Sequence, residues 1–114
     1  MTYVLGIDIG TSFTAAAIAH LGRREVPVPQ MVNLGVHSGA VPSVIFLGDD
    51  GKVLVGEAAE RRGVERPDGM VREFKRRVGD TVPIAVGDLL VAPEDFYAIM
   101  VRWVVDRVEE QEAT

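Results

Sequence analysis

A carboxylate, a glycine and two hydroxyl side chains follow one another in the segment Gly6–Ser12. Asp8 lies in an apolar stretch, and Gly10 then precedes Thr11 and Ser12. A glycine lets the backbone approach a ligand closely, and successive N–H groups of a turn can converge on an anion. Hydroxyl groups add donors for phosphate oxygens, and a carboxylate can hold Mg²⁺ through its water shell. These residues predict a phosphate-binding turn, but an ordinary hairpin with an acidic tip fits them too.

The segments on either side of this turn are expected to form a hairpin that positions it. Tyr3–Ile9 is β-rich and apolar on both faces, which predicts a buried strand. Thr14–His20 resumes as a strand of small residues, so the tip of the hairpin falls at Gly10–Phe13. Such a tip would present its backbone N–H groups at one end of a sheet.

The rest of the chain alternates between predicted strands and helices, which indicates an α/β fold. A helix is expected at Glu57–Glu65, and another begins at Pro93, whose apolar residues recur at three- and four-residue spacing. The segment Val71–Val78 is ambiguous between helical and extended structure. Further strands are predicted at Met31–Leu34, Val41–Leu47, Lys52–Val55, Pro83–Val86 and Leu89–Ala92, the last two joined by a turn at Gly87-Asp88.

Composition excludes several classes of protein. The 114 residues carry a net charge of −5, so neither a basic surplus nor a basic stripe predicts nucleic-acid binding. The chain has no cysteine, and its two histidines, His20 and His37, stand far apart without a third ligand, so no metal site is predicted. No apolar run approaches the ~20 residues of a membrane span, and the N-terminus lacks the features of a signal peptide. A cytoplasmic protein is expected.

Four blocks of sequence resemble the N-terminal end of the ATPase domain of DnaK-type heat-shock chaperones, which belong to the actin-like ATPase superfamily. The blocks are Gly6–Ser12, Val41–Ile45, Leu54–Ala59 and Phe74–Gly79. They occur in the family's order and at similar spacing across most of the chain. The last block separates this resemblance from sugar kinases and actins, which share the first loop but not the Phe-Lys-Arg block.

The resemblance implies a role for each matching residue. Asp8 would lie near hydrated Mg²⁺, and Gly10, Thr11 and Ser12 would bind the phosphates of ATP or ADP. Phe13 would add a loop N–H, with its side chain packed against the loop. Lys75 would be the catalytic lysine that stabilises charge at the γ-phosphate. Arg76 is similar to a family arginine near the cleft that holds the γ-phosphate. A solvated basic face is the alternative for both cations, because the segment from Arg72 to Arg77 is basic in any case.

The sequence also departs from the family. Ser12 stands where threonine is usual, and the stretch between Gly79 and Pro93 is shorter than in typical members. A second phosphate loop, the adenosine-binding glycines and two later catalytic carboxylates have no counterpart here. The expected unit is therefore a single partial domain over residues 1–114. Residues 1–56 would form the core, a mixed twisted sheet of about five strands, and residues 57–114 would add accessory helices and a hairpin.

The leading hypothesis is the N-terminal fragment of an ATP-hydrolysing, stress-response chaperone whose full-length form binds client polypeptides and co-chaperones. On this hypothesis the isolated chain is expected to bind ATP poorly and to be inactive. A non-enzymatic interaction or scaffold module is the alternative, and a small-molecule kinase of the same superfold is a weaker one. Self-association, most simply as a two-fold dimer, is expected because Tyr3–Ile9 and the helix at Pro93 would expose apolar surface. Neither nucleic acid nor membrane is an expected partner.

Overall fold

The computed structural model describes residues 2–22, 26–35 and 39–113. Two α-helices and nine strands lie in these residues, together with two short 3₁₀ turns, Pro67–Gly69 and Phe74–Arg77. The helices are α1 (Glu57–Glu65) and α2 (Pro93–Glu112). The strands are β1 (Tyr3–Ile9), β2 (Phe13–His20), β3 (Gln30–Met31), β4 (Val41–Pro42), β5 (Val44–Leu47), β6 (Val53–Val55), β7 (Met70–Arg72), β8 (Ile84–Val86) and β9 (Leu89–Val91).

The strands divide among three antiparallel sheets, where one mixed sheet of about five strands was expected. In the first sheet β2 lies between β1 and β3 and also pairs with β4. In the second, β5 lies between β6 and β7, and β8 and β9 form a separate hairpin. Ser43 separates β4 from β5, so the apolar run Val41–Leu47 contributes to two sheets. Hydrophobic periodicity cannot reveal such a division within one run.

The predicted first hairpin is confirmed, but β1 is not buried on both faces. Tyr3, Leu5, Ile7 and Ile9 alternate toward the core, where α2 covers them. The even-numbered positions between them are exposed. Among the described residues, β1 pairs only with β2. An apolar composition therefore does not bury this strand, because no described element covers its second face.

Helix α2 covers the core face of the first sheet. Its residues Phe96, Met100, Val104 and Val108 recur every four positions and are almost wholly buried, which confirms the predicted apolar stripe. Near its C-terminal end, the side chain of Gln111 donates to the carbonyl of Asn33 at 2.9 Å. The side chains of His20 and Glu112 also bond to each other. The helix is thereby fixed along the sheet.

The predicted third strand differs from the observed one, and the predicted division of the chain near residue 56 is not tested. The strand predicted at Met31–Leu34 is instead the shorter Gln30–Met31, and beyond it the Val32 N–H donates to the Ala16 carbonyl of β2 at 2.9 Å. The main hydrophobic core draws residues from both sides of position 56, from Ile9 to Val108. The proposed division of the chain near that position stays a prediction.

None of the described helices combines the length and apolar character needed to cross a bilayer.

Candidate phosphate-binding site

The turn between β1 and β2 is a tight two-residue loop formed by Thr11 and Ser12. The Gly10 N–H donates to the Phe13 carbonyl at 2.9 Å and closes the loop. A Cβ atom at position 10 would lie 2.6 Å from that same carbonyl oxygen, well inside van der Waals contact. Glycine is therefore required at position 10 by a close backbone approach. The sequence pattern predicted a tight turn here, and the structure confirms it.

Ser43 holds this loop in place through two hydrogen bonds. Its N–H donates to the Ser12 carbonyl at 2.8 Å, and its hydroxyl donates to the Gly10 carbonyl at 2.9 Å. The Ser43 hydroxyl also lies 2.8 Å from that of Thr14. Sequence reasoning did not single out Ser43 or Thr14 for this position. The available signal was the resemblance of Val41–Ile45, which contains Ser43, to a family block.

The loop residues differ in exposure. Ser12 is exposed and Thr11 is half-buried, so neither residue is enclosed in the core. The Gly10 N–H donates within the hairpin, to the Phe13 carbonyl, and phosphate binding by Gly10 stays a prediction. Phe13 was expected to pack against the loop, yet its side chain is 61% exposed. Thr14 takes the inward position, so strand alternation directs Phe13 to the outer face.

Asp8 is exposed on the outer face of β1, two residues before Gly10. Its cross-strand partner is Ala15, a small residue that leaves the space around the carboxylate open. A single carboxylate of this kind suits Mg²⁺ held through water rather than by direct ligation, because Mg²⁺ loses its water shell reluctantly. No cluster of metal-ligating side chains occurs in the described ranges, and His37 lies outside them.

Lys75 and Arg76 lie on the 3₁₀ turn Phe74–Arg77 and are both exposed. Phe74 anchors this turn: its side chain is buried, and its ring centroid lies 6.0 Å from that of Phe96 on α2. Arg77 forms an ion pair with Asp80 at 3.3 Å. Neither Lys75 nor Arg76 takes part in an ion pair among the described residues. Their charges are therefore available to a ligand.

The backbone connects the loop to the segment that carries Lys75. Ser43, which bonds to Ser12, is followed by Val44, and Val44 pairs with Arg72 at the end of β7. Because β5 and β7 are antiparallel, β7 runs toward the Ser43 end of the sheet. The segment that continues from β7 to Lys75 therefore starts at the loop end of the second sheet. Direct approach of the Lys75 ammonium to the loop remains a prediction.

The described residues also form a cleft of about 600 Å³ elsewhere, between the β5–β6 turn and the β8–β9 hairpin. Arginine and aspartate side chains share its lining, and Arg66 is already paired with Asp49 at 2.7 Å. None of the predicted site residues lines this cleft. The turn between β1 and β2, whose Ser12 and Phe13 are exposed, lies instead on open surface.

Comparison with known proteins identifies the class to which this fold and loop belong. The family model described as Hsp70 protein matches residues 4–88, which include the loop and Lys75. The chain belongs to the Hsp70 family, and its fold is part of an actin-like ATPase lobe.

Individual relatives agree with this assignment. The chain is 35% identical to the chaperone protein DnaK of Elusimicrobium minutum over 102 residues, which cover 90% of this chain and 16% of that protein. The DnaK of Thermoplasma acidophilum is 32% identical over 102 residues, with the same coverage. That of Cenarchaeum symbiosum is 39% identical over 79 residues, or 69% of this chain and 12% of that protein. The chain thus spans about a sixth of the length of the first two relatives.

Proposed function

We propose that this chain supplies the first phosphate loop and the catalytic lysine of an ATP-hydrolysing DnaK-type chaperone. The observation that carries the proposal is the closed hairpin turn, in which Gly10 is required by contact and Thr11 and Ser12 remain accessible. Membership of the Hsp70 family supports it, and favours a chaperone over a small-molecule kinase. The relatives are named chaperones, so client polypeptides, co-chaperones and a role in the cytoplasmic stress response belong to this proposal.

The chemistry would be transfer of a phosphoryl group to water, in which catalysis is mostly positioning and electrostatic stabilisation. Thr11 and Ser12 would donate hydrogen bonds to phosphate oxygens. Asp8 would accept from the water shell of Mg²⁺, which neutralises phosphate charge when bound. Lys75 would stabilise the negative charge that develops at the γ-phosphate. Arg76, exposed beside Lys75, would add positive potential to the same region.

A chimera tests the catalytic role of Lys75. Residues of this chain would replace the aligned 102-residue segment of the Elusimicrobium minutum DnaK, and single-turnover ATP hydrolysis would be measured. We expect Lys75→Ala to reduce hydrolysis at least about a hundredfold, as loss of a transition-state charge contact does. ATP binding should stay largely intact, because the remaining phosphate contacts are unchanged.

The matched control is Lys52→Ala, which removes the chain's other lysine. Lys52 is exposed and lies at the β5–β6 turn, away from the loop. The Lys52→Ala variant should hydrolyse ATP at the same rate as the parent chimera. Equal hydrolysis by the Lys75→Ala and parent chimeras would contradict the catalytic role.

A second candidate function, an interaction module, is favoured by the free edge of β1. The Gly10 N–H bond to Phe13 and the Leu21 N–H bond to Thr2 show that even-numbered residues of β1 bond to β2. The backbone groups of Tyr3, Leu5, Ile7 and Ile9 therefore point away from β2, where no described strand pairs with them. Such an edge can pair with another chain. We propose self-association through β1, most simply as a two-fold dimer.

Size-exclusion chromatography with light scattering tests this prediction at tens of micromolar chain. The unmodified chain should elute as a dimer, and Val4→Lys should make it monomeric. Val4 lies on β1 and is 55% exposed, and an edge lysine opposes strand pairing. Val64→Lys, on α1 at an 83% exposed position, is the matched control and should remain dimeric. A strictly monomeric unmodified chain would contradict self-association.

A further inference from the structure

Thr14 and Ser43 are the buried polar side chains of the described core. They are 29 residues apart in sequence, and their hydroxyl oxygens lie 2.8 Å apart beneath the loop. Buried polar groups are costly unless they are hydrogen-bonded, and a satisfied pair can hold a unique geometry. Both residues lie next to the loop, and their hydrogen bonds lead to its Gly10 carbonyl. This position indicates a role in holding the loop.

The number of protons fixes the direction of these bonds. A serine or threonine hydroxyl has one proton to donate. The Ser43 hydroxyl donates its proton to the Gly10 carbonyl at 2.9 Å. It must therefore accept from Thr14, whose hydroxyl donates at 2.8 Å. The result is a directed chain from Thr14 through Ser43 to the carbonyl of Gly10, and the hydroxyl of Thr14 is not available to donate to a ligand.

An anion site requires the carbonyl and N–H groups of a loop to be separated, because a carbonyl oxygen facing a phosphate would repel it. Ser43 binds the Gly10 carbonyl through its hydroxyl and the Ser12 carbonyl through its N–H. The Phe13 carbonyl accepts from the Gly10 N–H. Three of the carbonyls at the turn are thus satisfied within the protein.

We propose that Ser43 is the positioning residue of the phosphate loop. By holding the carbonyls of Gly10 and Ser12 on the protein side, it leaves the N–H groups of Thr11 and Ser12 free to meet an anion. This inference rests on the proposed function and deepens it. Water cannot replace the hydroxyl readily, because Ser43 is only 1% exposed. Its place between β4 and β5 also ties the loop to the sheet that leads to Lys75.

The test is an NMR titration of the 114-residue chain with inorganic pyrophosphate, comparing the unmodified chain, Ser43→Ala and Val44→Ala. Ser43→Ala should weaken pyrophosphate binding about three- to tenfold, the effect of losing a typical hydrogen bond. Without ligand, the carbonyl ¹³C resonance of Gly10 should shift in Ser43→Ala, because that carbonyl loses its donor. Val44→Ala removes a neighbouring buried side chain that makes no bond to the loop. It should leave both the pyrophosphate affinity and the Gly10 carbonyl resonance unchanged.

The outcomes separate this inference from the proposed function. If the unmodified chain binds pyrophosphate and Ser43→Ala binds it equally well, the positioning role is wrong while the phosphate site stands. Equal weakening by Val44→Ala would also overturn the role, since it would show a general effect of core disruption. An unmodified chain whose loop does not respond to pyrophosphate would overturn the phosphate site, and the role of Ser43 with it.

Discussion

Phe74→Ala is expected to lower the free energy of unfolding by about 3–5 kcal/mol, the usual cost of truncating a buried aromatic side chain. Phe74 is 1% exposed and packs against Phe96, so its removal leaves a cavity between the 3₁₀ turn and α2. Because a domain of this size is stable by about 5–15 kcal/mol, the loss is a large fraction of the total. The turn that carries Lys75 should also lose its fixed position.

Urea denaturation followed by circular dichroism measures this effect. Phe13→Ala is the matched control, since it removes the same side chain from a position that is 61% exposed. It should change the free energy of unfolding by no more than about 0.5 kcal/mol, as is usual for surface substitutions. Equal losses for the two variants would show that Phe74 does not anchor the turn.

Gly10→Ala is expected to lower the free energy of unfolding by about 2–3 kcal/mol and to abolish pyrophosphate binding. The added Cβ would lie 2.6 Å from the Phe13 carbonyl oxygen, which is backbone and cannot rotate away. The hairpin must therefore open at the hydrogen bond that closes the loop. Thermal unfolding and the pyrophosphate titration measure the two effects separately.

Gly6→Ala is the control for Gly10→Ala within the same strand. A Cβ at position 6 would have its nearest atom, the Ala17 carbonyl oxygen, at 3.9 Å, an ordinary contact. This change should be neutral or stabilising by up to about 1 kcal/mol, since alanine loses less conformational entropy than glycine on folding. A stable Gly10→Ala variant that still binds pyrophosphate would contradict the steric requirement at position 10.

Local sequence signals predicted the parts of the fold that depend on local physics. The turn at Gly10–Phe13 follows from a glycine and two hydroxyl residues between β-rich segments. The apolar spacing from Phe96 to Val108 likewise indicates α2, because one side of a helix meets the core every three or four residues. The β8–β9 hairpin follows from Gly87-Asp88, and Gly87 has the positive φ of 56° that such turns favour.

Features that depend on tertiary contacts could not be predicted in this way. The bond between Thr14 and Ser43 joins residues 29 positions apart, and no spacing rule links them. The exposed face of β1 depends on which elements cover it rather than on its own composition. The segment Val71–Val78 was ambiguous because it divides between β7 and a 3₁₀ turn. Burial of Phe74 and the left-handed backbone of Glu73, with φ of 54°, fix where that division falls.

The most direct test of the proposed phosphate-binding site is a map of backbone amide shifts in ¹⁵N-labelled chain during titration with inorganic pyrophosphate. The largest shifts should occur at Thr11, Ser12 and Phe13, with a second group at Lys75 and Arg76. Shifts confined to other surfaces, or a loop that does not respond at tens of millimolar pyrophosphate, would contradict the assignment of this turn as a phosphate-binding site.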